Sequence, residues 1–454
     1  MDKPLTDLRA LLRTGLSRSL VSLAIKMATA GLTYGMYVLL SRSMGAAEYG
    51  LFAFGLSLAT VLAILASLGQ QTAILRYWPE ETGRGDMARA EAALGAGSAL
   101  TVAAGLVIGV GLVLVALGGE WLGFGPTGHL AAAAVLILPM ALAEYWSSAL
   151  RAQGSVWIAL TPRDILWRLV TPVMVLALAV AGVALLGWQA LLLTAIVLAA
   201  ALGLQAWATK QQKLSLKTDF AAVPGYWRER GRASRWFLVG TLIDSAALNL
   251  DIVFVGLLLG PVEAGLYFNA FRTAGLLTLF MYAITLVVAP MLARHYHAGE
   301  MLKAQAVTTL CAWAGFVFSL AVFALFVVFG GPILALFGDH AEAAYWVLIL
   351  LSVGLLFDAA TGPARIVLMM TGHERAYVGL FGAIMVAGLL IAIAVIPFYG
   401  ILGAAMVNAG ARAIAQIAIS VFAIRRIGLD PSLFGILAIL RLRGEASAPL
   451  PPAR

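Results

Sequence analysis

The chain has 454 residues, 62% of them hydrophobic and only 11% charged, with mean hydropathy +0.96 and a formal net charge of +8. Soluble domains hold about 45–50% apolar and about 25% charged residues, so a water-soluble enzyme or binding domain is excluded. No basic cluster is interleaved with a nucleic-acid-binding fold, so the positive balance points to a membrane and not to nucleic acid.

A helix needs about 20 apolar residues to cross about 30 Å of hydrocarbon. Twelve runs qualify: 18–41, 49–70, 92–118, 129–150, 164–187, 188–208, 234–259, 265–290, 305–330, 341–370, 376–397 and 401–424. They are filled with alanine, leucine, valine and glycine and lack the alternation of barrel strands, which predicts an all-α polytopic membrane protein. Only Gly187 and Trp188 part the fifth run from the sixth. The first run is too long for a signal-peptide core and has no small-residue cleavage site, so it is expected to stay as a span. Cys311, the only cysteine, lies in the ninth run and permits no internal disulfide.

Lysine and arginine stay on the cytoplasmic side of short loops. With the N-terminus inside, 26 of the 30 fall in cytoplasmic segments, Arg42 alone falls outside, and Lys26, Arg272 and Arg412 fall within spans. Both termini are therefore expected in the cytoplasm. The longest polar segment, 209–233, separates six runs from six. The expected organisation is an N-terminal six-helix bundle over 1–208, a cytoplasmic linker over 209–233, a C-terminal six-helix bundle over 234–424 and a cytoplasmic tail over 425–454.

A short phrase occurs twice. "SMGAAEYGLF" (43–52) and "LGPVEAGLYF" (259–268) share glycine, glutamate, glycine and leucine at an offset of 215 residues, in the turns after spans one and seven. A weaker pair, "LRAQG" (150–154) and "LMMTG" (368–372), follows the fourth span of each half at an offset of 218. Two halves of six spans enter the membrane in the same sense, a parallel repeat about a pseudo-two-fold along the membrane normal. Two such bundles would leave a central cleft, the architecture of alternating access.

Charged groups inside the hydrocarbon cost at least about 2.5–3.5 kcal/mol, so each needs a partner, a wet cavity or a task. They form stripes at helical spacing. Span one carries Lys26; span seven, Asp244 and Asp251; span eight, Asn269 and Arg272; span ten, Asp358 and Arg365; span twelve, Asn408, Arg412 and Gln416; span four, Glu144. Each stripe alone is also what glue between helices looks like. Together they are expected to face one shared cavity. Lys26, Arg272 and Arg412 would draw an anion such as a phosphate or pyrophosphate. Asp244, Asp251 and Asp358 would carry protons or a cation. No Walker A loop is present, so ATP does not power transport from within this chain.

No catalytic or metal site is expected. His295 and His297 are two apart and face differently on a helix, and no GxSxG, HExxH or paired-cysteine motif occurs. External loops are short, which weighs against a membrane glycosyltransferase, polymerase or ligase. No cofactor is expected.

"LLSRSMGAAEYGLFAFGLSL", followed by "SLGQQTAILRY" (67–77) and later "ALRAQGS" (149–155), resembles the bacterial polysaccharide-transport proteins. These are the O-antigen flippases and their exopolysaccharide relatives, in one superfamily with the multidrug and toxic-compound extrusion antiporters. The resemblance implies two six-helix bundles around a V-shaped cleft. It implies a multi-pass protein of the bacterial inner membrane that moves a polyprenyl-pyrophosphate-linked oligosaccharide from the cytoplasmic to the periplasmic leaflet, alongside other polysaccharide assembly proteins. Basic cleft residues meet the pyrophosphate in that family; Lys26, Arg272 and Arg412, with Asn269, Asn408 and Gln416 beside them, are the candidates here. Relatives that flip the peptidoglycan precursor usually have fourteen spans, against the twelve read here. The rivals are an ion-coupled drug or metabolite antiporter of the same fold, a membrane glycosyltransferase or ligase, and a non-transporting scaffold.

Overall fold

The computed structural model describes residues 28–121, 127–338 and 340–440. Among them every regular element is helical and none is a strand. The helices are α1 (28–43), α2 (Ala46–Ala66), α3 (Gln70–Gly83), α4 (Met87–Trp121), α5 (Gly128–Ala152), α6 (Val156–Leu160), α7 (Trp167–Val180), α8 (Gly187–Gln211), α9 (Val223–Leu258), α10 (Pro261–Ala274), α11 (Leu279–His297), α12 (Met301–Ala335), α13 (Tyr345–Ala360), α14 (Ala364–Met370), α15 (Glu374–Phe422) and α16 (435–440). Where it is described, each predicted apolar run falls mostly on helical backbone, with non-helical breaks at 67–69, 181–186 and 361–363. Eight helical stretches among the described residues are long and apolar enough to cross a membrane. The chain is a multi-pass membrane protein.

Several runs are broken, and each break has a local cause. A stretch of 38 residues, Ala46–Gly83, is interrupted where Leu68 (φ 49°) and Gly69 (φ 76°) both turn left-handed. A side chain on residue 69 would meet the carbonyl oxygen of Ser234 at 2.4 Å, so glycine lets α3 start against the backbone of α9. Between α6 and α7 the chain widens into a π-helical turn, Thr161–Leu166, with Pro162 at its start. A stretch of 54 residues, Glu374–Ile427, holds the predicted runs 376–397 and 401–424 and breaks between them at Gly400 (φ 60°, ψ −149°), three residues after Pro397. At about 1.5 Å per residue that stretch far exceeds one bilayer.

The chain divides into two compact units, Met1–Phe268 and Asn269–Arg454, and the division falls inside α10. In the first unit α5 packs on α2, α4 and α8, and α9 packs on α2, α3 and α4. The loop before α9 is pinned to this unit. The Gln153 side chain exchanges two hydrogen bonds with the backbone of Ser215, both 2.9 Å, and the Asp219 amide donates to the Gly95 carbonyl at 3.0 Å. In the second unit α13 lies between α12 and α15, and α14 rests on α11 and α15.

The repeated phrase has a physical reading. Its two copies meet inside the first unit. A β-carbon on residue 50 would lie 1.7 Å from the Pro261 carbonyl oxygen, and one on residue 265 would lie 3.3 Å from the Gly50 Cα. Tyr49 and Tyr37 close on Phe268 with edge-to-face rings at 6.3 and 4.7 Å. Glu48 accepts a 2.6 Å bond from the Gly187 amide, placing a carboxylate at the N-terminus of α8, where the helix dipole favours it. The weaker pair is also matched in detail. Gly154 (φ 91°) and Gly372 (φ 79°) both turn left-handed. Ser155 donates to Leu150 O at 2.9 Å and His373 to Leu368 O at 2.8 Å, the closing bond of the same helix-ending turn.

Candidate functional site

In the second unit the polar stripe of α15 meets α13. Arg412 Nη1 lies 3.2 Å from Asp358 Oδ2, and its Nε donates to Asn408 Oδ1 at 3.3 Å. Asn408 sits one turn before Arg412 and Gln416 one turn after, so the three share a face. Arg412 is buried, as is Asn408. The second oxygen of Asp358 and the Oε1 of Gln416 are buried without a hydrogen-bond partner. Spare acceptor capacity on a buried carboxylate and amide is costly unless water or a ligand fills it, at about 1–3 kcal/mol per group. On α10, Asn269 is buried and Arg272 is partly buried. So the second unit gathers Asp358, Asn408, Arg412 and Gln416 into one constellation, and contains Asn269 and Arg272 as well.

The other predicted residues lie in the first unit. Asp251 on α9 is buried and accepts from the Tyr267 hydroxyl at 3.3 Å. Asp244 lies seven residues earlier on the same helix and is partly buried. Lys26 lies outside the described residues.

A second constellation, in the first unit, was not foreseen. Arg163, in the π-helical turn, pairs with Glu144 of α5 and lies 3.8 Å from Asp164. Arg168, the second residue of α7, donates through Nη1 to the carbonyls of Arg163 (2.7 Å) and Asp164 (3.2 Å) and stacks over Trp167 at 4.5 Å. Arg151 lies at the exposed edge of the cluster, donating to Ser147 O at 3.3 Å and Ser148 Oγ at 3.0 Å. Sequence reading counted these arginines as cytoplasmic charges, because all three lie at or near the ends of the fourth and fifth apolar runs, 129–150 and 164–187. The signal was "TPRDILWRL": a proline, then arginine, aspartate and arginine with one-turn spacing between Asp164 and Arg168.

A third cluster ties α3 to α9. Glu81 is 1% exposed, pairs with Arg230, and lies 3.6 Å from Arg84. Arg230 also covers the Tyr77 ring at 4.1 Å, and the Tyr226 hydroxyl donates to Gln70 Oε1 at 2.6 Å. These contacts anchor the motif "SLGQQTAILRY" to the start of α9. Among the described residues no group of three or more His, Cys, Asp or Glu could hold a metal ion.

The described residues form an all-helical, multi-pass fold that carries paired charges within its apolar helices. The family model described as "Polysaccharide biosynthesis protein" matches residues 16–296, and the chain belongs to this family. That match spans all three stretches that carried the resemblance, 39–58, 67–77 and 149–155. A second model, MatE, matches residues 238–373. No curated protein matches. Among solved structures, an inward-facing multidrug resistance MATE family transporter of the MOP superfamily superposes with TM-score 0.65 at 15% identity, covering 94% of this chain and all of that one. Its outward-facing counterpart gives TM-score 0.59 at 17% identity, covering 95% and 96%. A MOP superfamily transporter from Pyrococcus furiosus, whose binding pocket is described as reversed in polarity, gives 0.61 at 15% identity, covering 94% and 96%. The fold is thus that of the MOP superfamily transporters.

Proposed function

We propose that this protein is a flippase for a polyprenyl-pyrophosphate-linked oligosaccharide in surface polysaccharide biosynthesis. The observation that carries this reading is the match of the polysaccharide biosynthesis family over residues 16–296. In this proposal twelve spans form two six-helix bundles related by a pseudo-two-fold. The chain sits in the bacterial inner membrane with both termini in the cytoplasm. The glycan enters a wet cleft from the cytoplasmic side while the polyprenyl tail stays in lipid. Lys26, Arg272 and Arg412 neutralise the pyrophosphate, with Asn269, Asn408 and Gln416 offering hydrogen bonds to sugar hydroxyls. Rocking of the bundles then exposes the head group to the periplasm. The chain does no covalent chemistry in this scheme.

Asp244, Asp251 and Asp358 are the proposed ion-coupling groups. The Asp358–Arg412 pair gives coupling a physical form. A proton on Asp358 cancels the negative charge opposite Arg412 Nη1, and that N–H can then turn toward a phosphate oxygen while Nε keeps its bond to Asn408. Release of the anion restores the pair and expels the proton.

The second reading is an ion-coupled drug or metabolite antiporter of the same fold, favoured by the MatE match over 238–373. Cells lacking this chain separate the two. The flippase reading expects lipid-linked oligosaccharide to accumulate and the surface glycan to fall. A normal surface glycan with altered drug tolerance would establish the antiporter.

A further inference from the structure

The cluster around Arg168 holds three arginines and two carboxylates, so it carries one positive charge more than it neutralises. Arg151 contributes that excess, since its hydrogen bonds go to a carbonyl and a serine hydroxyl. Arg168 turns Nη1 toward Arg163 O and Asp164, yet its Nε is buried and has no hydrogen-bond partner. Thr171, three residues on and on the same face of α7, is 0% exposed, and its hydroxyl is also without a partner. That is unusual in this chain. The buried helical threonines Thr101, Thr194, Thr209 and Thr308 each donate to the carbonyl four residues back, at 2.7–2.9 Å. Thr171 does not take that bond.

A buried N–H and a buried O–H without partners, in a cluster whose arginines outnumber its carboxylates by one, favour an acceptor that is itself negative. Water would satisfy the hydrogen bonds but not the charge. A carboxylate is already supplied on the Nη1 side by Asp164. The π-helical turn that presents the cluster is a local departure from regular helix of the kind often found at functional sites.

We propose that Arg168 Nε and Thr171 Oγ1, with Arg151 at the exposed edge, form an oxyanion-binding station for a phosphate-class group. All of its residues belong to the first unit. It rests on the carrier reading above, and in the orientation proposed there it lies toward the cytoplasmic end of α7, where a head group would enter. The same chemistry fits the pyrophosphate of a lipid carrier and free inorganic pyrophosphate.

The test uses the purified full-length chain in detergent, titrated calorimetrically with farnesyl pyrophosphate, inorganic pyrophosphate and farnesol. The expected result is binding of farnesyl pyrophosphate, weakened about tenfold or more by T171V, the cost of one lost charge-assisted bond. R168Q should weaken it further and R168K should restore it in part, with farnesol indifferent to all three. T171V is nearly isosteric, so it keeps the test decisive if the arginine variants unfold. Wild-type affinity in T171V and R168Q would overturn the station while leaving the carrier reading to its other residues. Inorganic pyrophosphate binding as tightly as the farnesyl compound would overturn the lipid assignment in favour of a free anion. Binding of neither compound by the wild type would overturn the station too. The carrier reading itself fails by a different sign, the absence of lipid-linked glycan accumulation in cells lacking the chain.

Discussion

Gly50 of α2 and Pro261 of α10 touch backbone to backbone, 211 positions apart in the chain, so closely that a β-carbon on Gly50 would sit 1.7 Å from the proline carbonyl oxygen. The contact joins the two copies of the repeated phrase. Gly50→Ala should therefore cost about 1–3 kcal/mol through overpacking. Gly45 begins the same phrase with open space around it and φ −64°, so Gly45→Ala should fall within about 0.5 kcal/mol of neutral. Thermal unfolding of both variants in detergent checks the contrast. Equal melting temperatures would mean the two turns do not close on one another.

Gly69 makes a sharper case, because backbone conformation and space agree. Its φ of 76° disfavours any side chain, and α9 backbone atoms lie 2.4–2.6 Å from where a β-carbon would go. Gly69→Ala should lower stability by at least about 2 kcal/mol, adding strain to a clash. Gly182, with φ 78° but nothing within 4 Å, should show the strain alone. A smaller loss at Gly182 than at Gly69, in parallel melts, is the expected outcome.

The Asp358–Arg412 pair predicts non-additivity. Arg412→Ala removes the cation facing the Asp358 carboxylate, and Asp358→Ala removes the anion facing the Arg412 guanidinium; each should cost about 3–5 kcal/mol. The double variant should cost clearly less than the sum. Additive losses would show that the two charges act independently. Export of surface glycan in cells carrying Arg412→Lys reports whether charge alone suffices.

The turn between α11 and α12 gives a pH signature. Hydrogen bonds from Lys303, at 2.8 Å, and then from His295, at 2.6 Å, hold the Glu300 carboxyl below the usual carboxylate range. A carboxyl with a lowered folded-state pKa contributes stability above its unfolded pKa and loses it as pH falls through the folded value. Glu300→Gln should therefore lower stability at neutral pH and flatten the acid side of the profile, below about pH 4.5, so that native chain and variant converge once Glu300 is protonated. An unaltered acid limb would show that the Glu300 contacts do not persist in solution.

The helical segments were legible because hydropathy reports burial in lipid directly, and run length reports thickness. Their interruptions were less so. Gly400 and Gly69 look like any other glycine among 47, and only the backbone shows which adopt left-handed geometry. The Asn408, Arg412 and Gln416 stripe was legible from its spacing, whereas the partner on α13 depended on tertiary packing. Arg163 and Arg168 were hidden because positive residues near span ends are ordinarily topology signals, and no charge count separates these from a pair buried against Glu144 and Asp164. The linker reading of 209–233 missed the grip of Gln153 on Ser215, since a polar segment and a pinned loop have the same composition.

The central claim is movement of a glycan-bearing pyrophosphate lipid across a bilayer, and reconstitution tests it most directly. The purified chain would be placed in vesicles with lipid-linked oligosaccharide extracted from cells that lack it, and the sugars oxidised by periodate added outside. The account predicts that protein lets the reagent reach, over time, the sugars that protein-free vesicles keep inside, and that the Asp358→Ala, Arg412→Ala double variant slows this. Protein-containing vesicles indistinguishable from protein-free ones, yet expelling a cationic dye against a proton gradient, would contradict it.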